Sequence, residues 1–282
     1  MRINRVIYIV LDGLRYDVAC SHMGYLHHLV EYEKMSRLRV ESELPSLSRP
    51  LYETLLTGTP PYIHGITTNA TVRRSTEVSM FDLVVQAGGT TAAFAYHWVS
   101  ELYSRAPFQP MTDRIQHNPD GAIQYGSFYF EDHYPDTHLF AEASCWIEAE
   151  QPDFVYIHSM NIDDAGHREG AHSRLYQDAV LRADQCLAHC LPRWMELGYD
   201  IVVTSDHGMT EAHNHGGTTQ ADRAVPVFIA SSRYVPQVSD TCVKQVDVAP
   251  FVATLLGVPH SPAMTAHQSI PLKEEQRDGL VT

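Results

Sequence analysis

Four short stretches of this 282-residue sequence bring carboxylates and imidazoles together. Asp12 closes VIYIVLDG. Asp163 and His167 lie in NIDDAGH, Asp206 and His207 in VVTSDHGM, and His213 and His215 in AHNHGG. Carboxylate oxygen and imidazole nitrogen are the donors divalent zinc takes, usually four to an ion, with one position left open where the ion is catalytic. Asp163, His167 and His215 make one three-ligand set. Asp12, Asp206 and His207 make a second, with room for one more oxygen. Asp163 and His167 are four apart with Gly166 between them, so a single turn aims both inward. Two ions about 4 Å apart clamp the attacking and leaving oxygens of an in-line displacement at phosphorus. Any one of these residues alone reads equally well as a strand-end cap or turn residue, and Asp164 reads as a loop carboxylate or a partner to a ligand. The combination carries the metal reading.

The missing oxygen has a candidate in LPSLSRPLYETLLTG. Pro50 marks the first turn of a helix, which sets Ser48 at a helix N-terminus, where unpaired N–H groups and the dipole favour an anion. A serine hydroxyl is a poor nucleophile until a base or a metal activates it, and ligation in the second set would do so. The same position also suits a plain N-cap, a role for which Ser46 competes.

These residues need a scaffold that brings distant segments to one edge. Short apolar runs at Val6–Asp12, Arg37–Leu44, Thr90–Tyr96, Phe154–Met160, Ile201–Asp206 and Val225–Ala230 read as strands. The first, fourth and fifth are almost continuously apolar, as parallel strands covered on both faces are. Helical patterns lie between them, at 50–57, 80–87 and from about 172, where Pro192 is expected to end or kink the helix. Asp247 is expected to cap a further helix. Alternating strands and helices predict an α/β fold: a central, mostly parallel sheet with helices on both faces, in one domain over 1–282. In such sheets ligands bind at the carboxyl ends of strands, and all the candidate ligands fall there. Residues 97–137, rich in aromatics, Pro, His and Gly, show little periodicity. They are expected to form a lid or substrate-facing insertion, with His97 and Trp98 at the carboxyl end of the third strand.

Composition narrows the partners. The net charge is −14, which argues against a nucleic acid polymer as partner, since phosphate neutralisation needs a surplus of cations. A small phosphate ester remains compatible, because bound ions supply local positive charge. Seventeen His stand against 20 Lys and Arg, which brings metal sites forward. The five Cys include no CxxC, so neither a zinc ribbon nor a disulfide framework is indicated. No run approaches the roughly 18 apolar residues of a membrane span, and VIYIVL is short for a signal peptide. No membrane partner is therefore expected, and the cytoplasm is the default location. The His/Asp donor set favours zinc, with manganese or iron as substitutes. Oligomeric state is left open.

Taken in order, VIYIVLDGLR, S-R-P with LLTG and HGITTN, D-x-x-G-H, SDHGM and HGG resemble the alkaline phosphatase superfamily, and within it the type I phosphodiesterase/nucleotide pyrophosphatase branch. The resemblance runs from about residue 6 to 217. In that family the nucleophile, Thr or Ser, lies nine residues before the Thr of a TG pair. Counting back from Thr57 gives Ser48, with Pro50 two later. A phosphate-contacting Asn lies five after the His of HGI, which here is Asn69. The family's two-zinc arrangement implies Asp12, Ser48, Asp206 and His207 around one ion, and Asp163, His167 and His215 around the other. His215 is favoured over His213 because Gly-Gly follows it. Ser48 stands where Thr is more frequent, and Arg49 where an aromatic is common. The span from Asp206 to His215 is shorter than in the long secreted members, whose insertions form nucleotide pockets.

The resemblance implies a two-metal hydrolase of phosphate esters, acting as a phosphodiesterase or nucleotide pyrophosphatase through a phosphoseryl intermediate on a small-molecule substrate. A phosphonate hydrolase and a phosphomonoesterase are the alternatives on the same core. The monoesterase needs a further cation, for which Arg15 and Arg49 are candidates. A sulfatase is disfavoured because Tyr52 replaces the required Arg. A reading from another class is a non-catalytic metal-binding protein, which chelator-sensitive hydrolysis of bis(p-nitrophenyl) phosphate would exclude.

Overall fold

The computed structural model describes residues 3–264 and residue 270. Nine strands form one sheet: β1 (Val6–Leu11), β2 (Ser36–Glu41), β3 (Thr91–Tyr96), β4 (Ile115–His117), β5 (Tyr125–Tyr129), β6 (Phe154–Ser159), β7 (Asp200–Thr204), β8 (Ala224–Ala230) and β9 (Val238–Lys244). Their order is β4-β5-β3-β6-β1-β7-β8-β2-β9. The sheet is mostly parallel; β4 and β8 pair antiparallel with their neighbours. All six residues of β1 are buried, and alternate ones serve opposite faces. Val6, Tyr8 and Val10 pack with Leu55, Phe81 and Phe251. Ile7, Ile9 and Leu11 pack with Ile147, Leu187 and Trp194. Burying each such side chain is worth about 1.5–3 kcal/mol. The result is the expected α/β sandwich. Helices Ser48–Thr57, Met80–Gln86 and Val248–Leu256 lie on one face, and Asp136–Glu150 and Arg174–Glu196 on the other.

All six expected strands are present, with ends that differ by up to three residues. Three more were not expected. β9 is exposed along most of its length and carries no apolar alternation. β4 is three residues long. β5, YGSFY, contains Gly126, where a Cβ would lie 2.2 Å from the Phe128 ring; the glycine that obscures the strand pattern makes room for that ring. Residues 97–137, expected as a lid or substrate-facing insertion, contain helix His97–Tyr103 and the β4 and β5 strands, and β5 pairs with β3 to extend the sheet edge.

Two helix-end expectations are also corrected. The Arg174–Glu196 helix continues past Pro192, its last turn held by buried Leu191 and Trp194. Asp247 occupies the N-cap position but makes no side-chain capping bond, because a 3-10 turn, Gln245–Asp247, leads directly into the helix. No helix among the described residues is long and apolar enough to cross a membrane.

Candidate metal centre

β6, β1 and β7 are adjacent and parallel, so their carboxyl ends open onto one spot. Asp12 follows β1, the Asn161–Glu169 helix carrying Asp163 and His167 follows β6, and Asp206 and His207 follow β7. Two glycines allow the approach. Gly13 has φ +74°, and a Cβ there would meet Asp163 Cα at 3.0 Å. At Gly166 a Cβ would lie 2.6 Å from Met209 Cγ, so the helix bearing both ligands packs directly on the segment after β7.

The ligand atoms of Asp163, His167 and His215 lie within 4.8 Å of one another, as do those of Asp12, Asp206 and His207. The rings of His207 and His215 stack with centroids 3.6 Å apart, which joins the two groups. The second group is wholly buried; in the first, 43% of the His167 side chain is exposed.

The hydrogen bonds show what the cluster lacks. His207 Nδ1 lies 2.8 Å from Gly208 O, His167 Nδ1 2.9 Å from His213 O, and His215 Nδ1 2.8 Å from Ser46 O. A carbonyl accepts and cannot donate, so each Nδ1 carries the proton and, in the neutral ring, each Nε2 turns a lone pair inward. His167 Nε2 and His215 Nε2 are 3.2 Å apart. The carboxylates match this pattern: Asp12 Oδ1, Asp163 Oδ1 and Asp206 Oδ2 are buried without a hydrogen-bond partner. Bare acceptors in the interior are costly, and divalent cations between them satisfy the whole set. The residues present therefore fit a two-ion centre.

Titration behaviour reflects the same crowding. Burial, then repulsion from Asp163, raises Asp12 well above the carboxylate range. Burial and Asp12 do the same to Asp206. Burial, then His215, holds His207 well below the usual imidazole value. His167 is pushed up to about 9, chiefly by its hydrogen bond to Asp163. Without another cation, a proton on His167 is what that carboxylate recruits.

Ser48 is the first residue of its helix, and the N-cap is Leu47. Its hydroxyl makes no capping bond; it lies 3.0 Å from His207 Nε2, beside the buried ligand set. Ser46 makes no cap either and donates to Gly217 O. Asn69 accepts from the Arg49 amide at 3.0 Å, which places it at the same helix terminus. His213 is exposed and outside both groups; its carbonyl orients His167. Arg15 pairs with Asp17 at 2.6 Å. Arg49 is buried, pairs with Glu101 at 2.7 Å and lies over the Trp98 ring. Asp164 pairs with Arg168 at 3.4 Å.

Two residues at the site escaped the sequence reading. Tyr52 and His158 both hydrogen-bond Asp12 Oδ2, the latter at 3.1 Å. An apolar strand hides His158 and a helix face hides Tyr52; no spacing rule marks either one.

The type I phosphodiesterase/nucleotide pyrophosphatase family model matches residues 6–227. The chain belongs to that family. GPI ethanolamine phosphate transferase 3, catalytic subunit, of Mus musculus is 23% identical over 284 residues, covering 92% of this chain and 25% of its own length. GPI ethanolamine phosphate transferase 2 of Saccharomyces cerevisiae is 23% identical over 300 residues, covering 91% and 34%. The chain thus spans a quarter to a third of these relatives. Murine ectonucleotide pyrophosphatase/phosphodiesterase 5 superposes with a TM-score of 0.71 at 14% identity, over 92% of this chain and 96% of that one. The phosphonate monoester hydrolase SpPMH of Silicibacter pomeroyi gives 0.65 at 14%, over 93% and 74%. These superpositions establish the alkaline phosphatase-like fold. The family model thus covers the segments that carry both donor groups, Asp12, Asp206 and His207 and Asp163, His167 and His215.

Proposed function

We propose that the protein hydrolyses a small phosphodiester through a phosphoseryl intermediate on Ser48. Asp12, Asp206 and His207, with Ser48, would hold one divalent ion, and Asp163, His167 and His215 the other; the His/Asp donor set favours zinc. Bound there, the ions would supply the positive charge that favours the ionised hydroxyl and stabilises charge developing on the transferring phosphoryl group. Ser48 Oγ, its proton lost to solvent, bonds to phosphorus as the bond to one ester oxygen breaks, and that alkoxide leaves as an alcohol. Water then attacks phosphorus, the bond to Ser48 Oγ breaks, and the phosphate monoester departs as the hydroxyl is restored. The start of the Ser48–Thr57 helix faces the anion with backbone N–H groups, and Asn69 flanks it. Fixed donors of this kind need no reorganisation as charge develops.

The observation that carries the reading is the Ser48 hydroxyl, buried 3.0 Å from His207 Nε2 among carboxylate oxygens without partners. The preference for a diester rests on charge. A monoester brings a second negative charge, and the two arginines that would meet it are committed to Asp17 and Glu101. A second reading is transfer to a hydroxyl acceptor instead of water, supported by relatives named as phosphoethanolamine transferases. Bis(p-nitrophenyl) phosphate, a p-nitrophenyl monoester and a phosphonate monoester, each assayed with and without chelator and with an added alcohol, separate these readings. The proposal expects chelator-sensitive turnover highest on the diester, with water as acceptor. Activity confined to the monoester, or a product formed only with alcohol, contradicts it.

A further inference from the structure

Each buried carboxylate of the Asp12/Asp206/His207 group has one oxygen held by the protein and one left bare, and Asp12 shows the most deliberate arrangement. Its Oδ2 accepts from the Tyr52 hydroxyl and lies 3.1 Å from His158 Nε2. Its Oδ1 has no partner and lies 3.4 Å from His207 Nε2. Both donors are fixed from outside the centre. The His158 ring packs edge-on to Tyr52, centroids 4.5 Å apart, and stacks with Tyr156 at 6.5 Å. Tyr129 donates to the His158 carbonyl at 2.9 Å. Tyr52 lies one helical turn beyond Ser48, so a single helix supplies a donor to Asp12 and the hydroxyl beside His207. All of these side chains are wholly or almost wholly buried.

We infer that Tyr52 and His158 are positioning residues for Asp12: they occupy Oδ2 and present Oδ1 alone to a cation. A carboxylate so held cannot swing to chelate through both oxygens, and its aim is set before any ion arrives. Partners of this kind commonly change metal affinity about 10–100-fold when removed. The inference rests on the two-metal reading above.

Zinc competition with a chromophoric chelator tests it without using turnover. The full-length chain carrying His215→Ala isolates the Asp12 group. In that background, Tyr52→Phe and His158→Leu, each of which removes one donor, are compared with the parent, and Tyr8→Phe, which removes a buried hydroxyl without a hydrogen-bond partner, serves as a control. The expected result is a 10–100-fold loss of zinc affinity for the first two, with less than threefold change for Tyr8→Phe. The visible spectrum of the cobalt-substituted forms should also change as Oδ2 becomes free to coordinate. Affinities within threefold of the parent overturn the inference. So does a drop in metal-free thermal stability with affinity intact, which marks a merely structural role. If Tyr52→Phe does not fold, His158→Leu decides. A wild-type chain that takes up no zinc overturns the metal reading itself and this inference with it.

Discussion

The Nε2 atoms of His167 and His215 face each other at 3.2 Å, while each ring's Nδ1 is committed to a backbone carbonyl. With both rings neutral the two Nε2 atoms are acceptors, so the pair calls for a cation: a proton on His167, which is pushed up to about 9, or a metal ion that also meets the bare Asp163 oxygen. The arrangement comes from segments 48 residues apart in sequence. It exists because the Asn161–Glu169 helix and the loop after β7 meet at Gly166 and Met209.

Removing one of these imidazoles should cost one ion and the reaction together. His215→Ala is expected to retain about one zinc per chain by elemental analysis and to lose roughly 10³-fold in kcat/KM, or about 4 kcal/mol of transition-state stabilisation. Chelation of the wild type should abolish turnover, and added zinc should restore it. Retention of two ions by the variant would remove His215 from the ligand set.

Glu53 should make stability fall with rising pH. Burial raises its carboxyl from 4.5 to about 7, opposed by hydrogen bonds from Ser75 and Tyr103. The folded chain then binds more protons than the unfolded one between those values. The stabilisation is therefore complete below pH 4.5 and lost as pH rises through 7. Its size is on the order of 3 kcal/mol. Glu53→Gln should flatten this segment of the profile and exceed the wild type in stability at pH 8. Urea unfolding at several pH values measures both, and an unchanged slope would refute the assignment.

The Arg49–Glu101 pair should support the site from behind. Arg49 also donates to Thr71 O at 2.9 Å, two residues beyond Asn69, whose side chain its own amide meets. Glu101→Gln leaves a buried guanidinium without its counter-charge, a change that commonly costs about 3–5 kcal/mol. The expected outcome is a lower urea midpoint and a higher KM, with zinc content unchanged. Loss of zinc instead would mean that the pair braces the ligands rather than the Asn69 turn.

Much of the fold was legible because β1, β6 and β7 are built on nearly continuous apolar runs and much of their chemistry sits directly after them. Asp12, Asp206 and His207 are marked by that position alone. Ser48 was ambiguous between cap and nucleophile; in the structure the cap position is Leu47, and the Ser48 hydroxyl lies 3.0 Å from His207 Nε2. Tyr52 and His158 were invisible, since a tyrosine on a helix face and a histidine in a buried strand look like packing until their partner is known. β9 lacked the alternation that marks a half-buried strand. β5 was not legible because Gly126 interrupts its pattern for a reason seen only in three dimensions, the space taken by Phe128.

The most direct test of the central claim is to measure turnover and metal content together on Ser48→Ala, with Ser48→Thr alongside. The account predicts that the alanine variant loses turnover on bis(p-nitrophenyl) phosphate while still holding close to two zinc ions per chain, and that the threonine variant retains activity. Turnover in Ser48→Ala at the wild-type rate would contradict it.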